Sequence, residues 1–413
     1  MTATEASVER RWPGWRLEAV MSEYSLPLVA GVLLSIAWAN LDEAGYRAVL
    51  SWSPLGPASE LTLLFFANDL VMAFFFGLAA KEITAACSPG GALNPLRSAV
   101  NPLLATLGGV LMPIAVYKAS IALFGADSAR TGWAVPTATD IALAWLVARA
   151  AFGARHPAVA FLLLLAVADD GIGLAIIAIF YPDPLHPVAP AWLGLVLGAM
   201  ACAWLLRRRK VASFWPYLVG PGVISWIGLY IGHLHPALAL VPIVPFMPSQ
   251  ARGDGAFGDA PAEPAGDALG AFSSVVKGPV ELGLFVFGLA NAGVAFSSIG
   301  PATWSVLAAL MLGKTLGITS FALLAQAAGF PLPAGMDKKS LLVAGITGGM
   351  GLTVALFVAG VAFTDPTVAG AAKMGALLSF LSAPVALAVA RALGIERRPD
   401  PREGSDTSSV HVS

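Results

Sequence analysis

Charge is scarce in this sequence. Asp, Glu, Lys and Arg make up 12% of its 413 residues, against about 25% in soluble domains. With 57% hydrophobic residues and a mean hydropathy of +0.77, the chain lacks the polar surface that a soluble core of this size would need. Neither sign of charge dominates, 24 basic residues facing 25 acidic ones. No broad basic field is therefore available, and a nucleic-acid partner is excluded. Cysteine is nearly absent. Cys87 and Cys202 lie far apart, with neither metal-ligand spacing nor a disulfide framework. Both read as packing residues, and no transition-metal site or cofactor is expected. Also missing is a short apolar stretch with a small-residue cleavage site near Met1. Residues 1–23, opening "MTATEASVERRWPGWRL", read as a cytoplasmic lead-in and not as a secretory signal.

What the sequence has is apolar runs long enough to cross a membrane, at about 20 residues each. They predict an all-α polytopic membrane protein with about twelve spans, near 24–41, 61–81, 99–123, 133–152, 157–181, 190–206, 215–233, 236–248, 278–297, 302–325, 339–363 and 370–393. Prolines 157, 182, 184, 187, 216, 236, 301 and 366 punctuate the joins. Basic residues fall on alternate connections: Arg10, Arg11, Arg16, Arg97, Arg155, Arg207–Lys210, Arg252, Lys338, Lys339, Arg397, Arg398 and Arg402. Positive charge stays in the cytoplasm, so both termini are expected there. One transporter domain then covers 24–393, with a flexible cytoplasmic connector at 249–270, rich in Gly, Ala, Pro and Asp, and a disordered tail at 394–413.

Against this apolar background the few ionisable residues at membrane depth stand out: Asp69, Asp140, Asp169, Asp170, Glu281 and Lys314, with Glu82 at the edge of the second span. An aspartate at the centre of a membrane helix costs about 2.5–3.5 kcal/mol on insertion scales, yet "LLLLAVADDGIGLAIIAIFY" at 162–181 carries two in succession. Neighbours on a helix point about 100° apart, so the pair cannot share a face. One carboxylate can look into an aqueous cavity while the other looks at a neighbouring helix. Lys314, midway along its span, is the obvious counter-charge for one of them. A purely structural pair is the plain alternative.

Two spans are poor continuous helices. "GWAVPTATDIALAW" holds Pro136, Thr137, Thr139 and Asp140; "VAGITGGMGLTVALFVAG" crowds Gly345, Gly348, Gly349 and Gly351 before Thr353. Irregular backbone at membrane depth is tolerated only where protein or a water-filled cavity satisfies it. One such span in each half points to a transport site at mid-membrane. Asp140 suits the balancing of opposed half-helix ends, with Lys314 a candidate on the other side. Close helix packing is the competing account of the glycines.

The motifs "PTATDIALAW", "AVADDGIGLAIIAIFY", "GLANAGV", "LGKTLGI" and "GGMGLTVALFVAGVAF", preceded by "WAN" and "NDLVMAFFFGLAAKE", resemble in order those of the NhaA-type sodium/proton antiporters. The resemblance runs from about residue 24 to 390. It implies inverted repeats of spans 3–5 and 10–12, with spans 4 and 11 unwound and crossing. It also implies a multi-pass transporter, not an enzyme, of the bacterial inner membrane, electrogenically exchanging sodium or lithium ions for protons by alternating access, in sodium and pH homeostasis. By position, Asp170 is then the principal cation ligand and proton carrier. Asp169 is its neighbour, paired with Lys314 in the cation-free state. Asp140 and Lys314 compensate charge at the unwound helices, where Thr139, Gly349, Gly351 and Thr353 lie. Asp69, Glu82 and His235 match family positions tied to a funnel or to pH.

This chain also departs from the family pattern. "KEITAACSPGG" keeps Glu82 but has Ala85 and Ala86 where the family places further charges tied to pH activation. Residues 43–60 lack the alternating pattern of the family's periplasmic dimer hairpin, so homodimerisation is left open. Glu281 stands where the family is typically uncharged. Three other readings remain: a sodium-coupled symporter of related fold, an intramembrane aspartyl protease, and a passive channel. No Gly-x-Gly-Asp stretch supports the protease, and no continuous polar face supports the channel.

Overall fold

In hydrocarbon, backbone polar groups must be satisfied within their own segment, and helices are the only regular elements among the described residues. The computed structural model describes residues 26–54, 56, 59, 61–88, 91, 93, 96–124, 126–154, 156–182, 187–249 and 267–395, with 96–98 described by backbone alone. The expected lead-in at 1–23, residues 250–266 of the connector expected at 249–270 and the tail beyond 395 lie outside these residues. So do Arg10, Arg11, Arg16, Arg155, Arg252, Arg397, Arg398 and Arg402, and the side chain of Arg97. Residues 268–270, expected in that connector, are helical.

The chain opens with α1 (Leu26–Leu41) and α2 (Glu43–Leu50), the latter capped by Asp42, whose side chain accepts from Gly45 N. Next come α3 (Leu63–Cys87) and α4 (Leu96–Phe124). A 3₁₀ segment (Asp127–Thr137) leads into α5 (Ile141–Phe152). Then follow α6 (Pro157–Phe180), α7 (Pro190–Arg208), α8 over 215–231, α9 (Ala268–Asn291) and α10 (Pro301–Ala327). Two short helices, α11 (Lys338–Thr347) and α12 (Thr353–Ala362), precede α13 (Pro366–Ala392). Among the described residues, seven of these (α3, α4, α6, α7, α9, α10 and α13) are long and apolar enough to cross a membrane; the count reaches eight if the 3₁₀ segment and α5, bent by 58°, are one span. Large apolar side chains such as Leu197 (65% exposed), Val219 (65%) and Leu282 (66%) cover the outside, as a lipid-facing surface requires.

Several expected boundaries are corrected. The eighth expected span, 236–248, is not an α-helix: 3₁₀ turns at Pro236–Leu238 and Val244–Phe246 are joined by further turns. Pro236, Pro242, Pro245 and Pro248 each remove a backbone donor, so the i→i−4 ladder cannot form. The segment is nevertheless buried at Ala237, Leu240, Ile243 and Met247. The ninth helix begins at Ala268, where Asp267 caps it by accepting from Gly270 N (2.9 Å), and ends at Asn291, earlier than expected. Lys277-Gly278-Pro279, read as a boundary, lies inside it, with Lys277 3.9 Å from Glu281 one turn on. Helix α3 runs on to Cys87, which is exposed and does not pack; Cys202 is half-buried.

Two features place Lys314. First, α4 and α10 run antiparallel at near-contact of their backbones: a Cβ on Gly108 would collide with the Gly317 carbonyl, and one on Gly317 with that of Gly108. Asn101 of α4 fixes the far end, donating to Ala322 O (3.1 Å) and Phe330 O (2.8 Å). Second, a π turn at Ala309–Gly313 interrupts α10 immediately before Lys314. Such turns often sit at functional sites; α3 has another at Phe66–Val71, which includes Asp69.

Candidate cation-binding site

Residues 138–140 and 348–352 interrupt two helical spans, and the interruptions lie against each other. The Asp140 N–H donates to Met350 O (2.8 Å), and Thr139 Oγ1 lies 3.0 Å from Gly348 O. A Cβ on Gly351 would stand 2.8 Å from Ala138 O, and one on Gly349 2.8 Å from Leu310 O. The approach therefore needs glycine at both positions.

Asp140 meets the N-terminal ends of two half-helices at once. Its Oδ1 accepts from Leu143 N (3.2 Å), capping α5. Its Oδ2 accepts from the Thr353 hydroxyl (2.6 Å) and the Thr353 N–H (3.3 Å) at the start of α12. Each helix start carries about half a positive charge, so one carboxylate compensates both. Near the C-terminal ends of the 3₁₀ segment and α11 stands a cation instead. Lys314, whose side chain is 0% exposed, donates to Asp169 Oδ2 (2.5 Å) and Thr139 Oγ1 (2.6 Å). The single hydroxyl proton of Thr139 is placed to go either to Gly348 O or to Asp169 Oδ2 (2.8 Å).

One carboxylate is left over. Asp170 is buried, its Oδ1 has no hydrogen-bond partner, and no described residue bonds or ion-pairs with its side chain. Asp169 Oδ1, on the adjacent residue of α6, is likewise unpartnered. Two free carboxylate oxygens next to a satisfied ion pair make a site that a proton or a small hard cation can complete. Residues 19–390 match the family described as Na+/H+ antiporter 1.

The chain belongs to that family of sodium/proton antiporters.

Its relatives agree over nearly their whole lengths. The Na(+)/H(+) antiporter NhaA of Geobacter metallireducens is 55% identical over 381 residues, covering 92% of this chain and 98% of that one. The Na(+)/H(+) antiporter NhaA of Desulfitobacterium hafniense is 54% identical, covering 92% and 97%. The Na(+)/H(+) antiporter NhaA of Jannaschia sp. is 43% identical over 422 residues, covering 93% and 99%. The chain is thus a transporter and not an enzyme.

In this antiporter the structure gathers Asp140, Asp169, Asp170, Lys314, Thr139, Gly349, Gly351 and Thr353 around the two breaks. The other three named positions stand apart. Asp69 lies in the α3 π turn, where its backbone carbonyl accepts from Trp226 Nε1 (3.3 Å). Glu82 pairs with Lys81 (2.8 Å). His235 precedes the first 3₁₀ turn of 236–248, its ring edge-on to Phe357 of α12 at 5.9 Å. Sequence reasoning passed over Lys373. The expected span begins at 370, whereas α13 begins at Pro366 and Lys373 sits two turns inside it. Asp365-Pro366, a capping residue followed by proline, was the signal that could have placed it.

Proposed function

We propose that the antiporter exchanges sodium or lithium ions for protons across the bacterial inner membrane by alternating access, with Asp170 as the shared ligand. The observation that carries this reading is the division of labour among four buried charges. Asp140 is committed to two helix starts and Asp169 to Lys314, while Asp170 is committed to nothing. A proton or a sodium ion neutralises it, and loading one expels the other. A sodium ion held by both Asp170 and Asp169 competes with Lys314 for the second carboxylate. If the displaced lysine gives up a proton together with Asp170, two protons move against one sodium ion, and the exchange carries charge.

Several further features belong to this proposal. They are twelve spans with both termini cytoplasmic, spans 4 and 11 as crossing unwound helices, 24–393 as the transporter unit and a role in sodium and pH homeostasis. The antiparallel contact of α4 with α10 and the meeting of breaks 138–140 and 348–352 support an inverted pair of three-helix units.

Purified protein in sealed proteoliposomes with a pH-sensitive dye inside tests the exchange. Adding sodium or lithium is expected to drive protons across the membrane and, with the interior voltage clamped, to carry net charge. Uptake of an organic solute with sodium, and no proton movement, would select the symporter instead.

A further inference from the structure

Lys373 is a further lysine inside a membrane span, and the cation site does not use it. It lies seven residues into α13, about 10 Å from that helix's start at 1.5 Å per residue. Asp170 lies ten residues from the Phe180 end of α6, about 15 Å in. The two ends share one side of the molecule: Trp133 packs on Phe180 (ring centroids 5.3 Å), and a Cβ on the adjacent Gly132 would collide with Phe363. Lys373 is therefore shallower than Asp170, on the side away from Lys338 and Lys339.

Its surroundings are a polar seam between helix groups. A Cβ on Gly360 of α12 would lie 3.9 Å from Lys373 Nζ and 3.8 Å from Asn291 Oδ1 of α9. Asn291, 2% exposed, donates in turn to Asn68 Oδ1 (2.7 Å) in the α3 π turn. Lys373 is only partly buried, and no described residue forms a hydrogen bond or ion pair with it. The charged groups on the elements packed here are few. Helix α12 and the first turns of α10 have none, α3 contributes Asp69 beside Asn68, α9 carries Lys277 and Glu281 paired with each other well before Asn291, the 3₁₀ segment carries the exposed Asp127–Arg130 pair, and Asp365 caps α13 at its solvent end. An ammonium without a counter-ion, held among amides in a seam shallower than Asp170, raises the electrostatic potential that a cation meets there.

We propose that Lys373 is a specificity-determining residue that weakens sodium binding from its own side of the membrane, so that the ion is released there more readily than it is taken up. This rests on the exchange reading above. It adds an asymmetry between faces that the carboxylate site alone does not supply.

The test uses the full chain in right-side-out and inside-out membrane vesicles, with sodium as the probe. In Lys373→Met the half-saturating sodium concentration applied from the Lys373 side is expected to fall roughly fivefold, which is about 1 kcal/mol at about 1.4 kcal/mol per tenfold. The value from the opposite face should stay within experimental error, and Lys373→Arg should keep the wild-type asymmetry. If Lys373→Met does not accumulate, Lys373→Gln is read the same way. An equal shift from both faces, no shift, or an arginine variant that behaves like methionine would overturn the proposal. Wild-type vesicles in the same assay report on exchange itself. Their failure would reject the exchange reading, which a missing asymmetry in the variants would leave standing.

Discussion

Asp170→Asn is expected to reduce sodium-driven proton flux by a factor of roughly 100 or more, with the protein made and folded as usual. The amide keeps an oxygen ligand but has neither a negative charge nor an exchangeable acid proton. Truncating one partner of a buried charge pair in binding, here the carboxylate facing the bound sodium ion, costs about 2–5 kcal/mol, and each 1.4 kcal/mol is about tenfold in affinity. The fold should be spared, because Asp170 makes no hydrogen bond or ion pair in the described structure that asparagine would break. Asp169→Asn differs in this respect, since it cuts the 2.5 Å contact with Lys314. Loss of transport at an unchanged thermal midpoint is thus specific to residue 170. Normal flux in Asp170→Asn would remove that residue from the mechanism.

Lys314→Ala should act first on stability. Its side chain is fully buried and holds Asp169 and Thr139 together. Removing it leaves a carboxylate without its counter-charge, at a cost of about 3–5 kcal/mol, less whatever Asp169 recovers by taking up a proton. Thermal unfolding in detergent should show a clearly lowered midpoint. The double change Lys314→Met with Asp169→Asn removes both charges and should recover much of the loss, since neutralising both members of a buried pair is often nearly neutral in energy. An unchanged midpoint in Lys314→Ala would mean that the pair does not support the resting protein.

Much of this site could be read from local chemistry. Charge at membrane depth is rare, so Asp140, Asp169, Asp170 and Lys314 announce themselves in the sequence. Proline and crowded glycine likewise mark where 136–140 and 348–351 cannot continue as helix. Partner choice was less legible. Adjacent aspartates point about 100° apart, but which one meets Lys314 depends on how α6 rotates against α10, and no local signal carries that. The partnership of Asp140 with Thr353 is 213 residues apart in the chain and depends on the two breaks meeting. Hydropathy also misled at 236–248, where apolar character met burial while four prolines blocked the helix. At Lys277-Gly278-Pro279 a helix continued through residues that usually end one, because the Asp267 cap set its start ten residues earlier.

The departures after the second span bear on regulation. Glu82 is engaged by Lys81 at 2.8 Å, and Ala85 and Ala86 follow where further titrating groups would be needed for a coupled switch. Little is left there to titrate cooperatively, so the pH response should come from the transport site itself. Apparent sodium affinity should then rise smoothly with pH as protons leave Asp170, with no separate all-or-none activation step.

The most direct measurement is proton-coupled sodium flux across pH in proteoliposomes, at limiting and at saturating sodium. If one carboxylate holds either a proton or a sodium ion, the acid limb of the profile moves to lower pH as sodium is raised, because sodium displaces the proton. An acid limb that stays fixed at every sodium concentration would contradict the shared site and place pH control in a separate group.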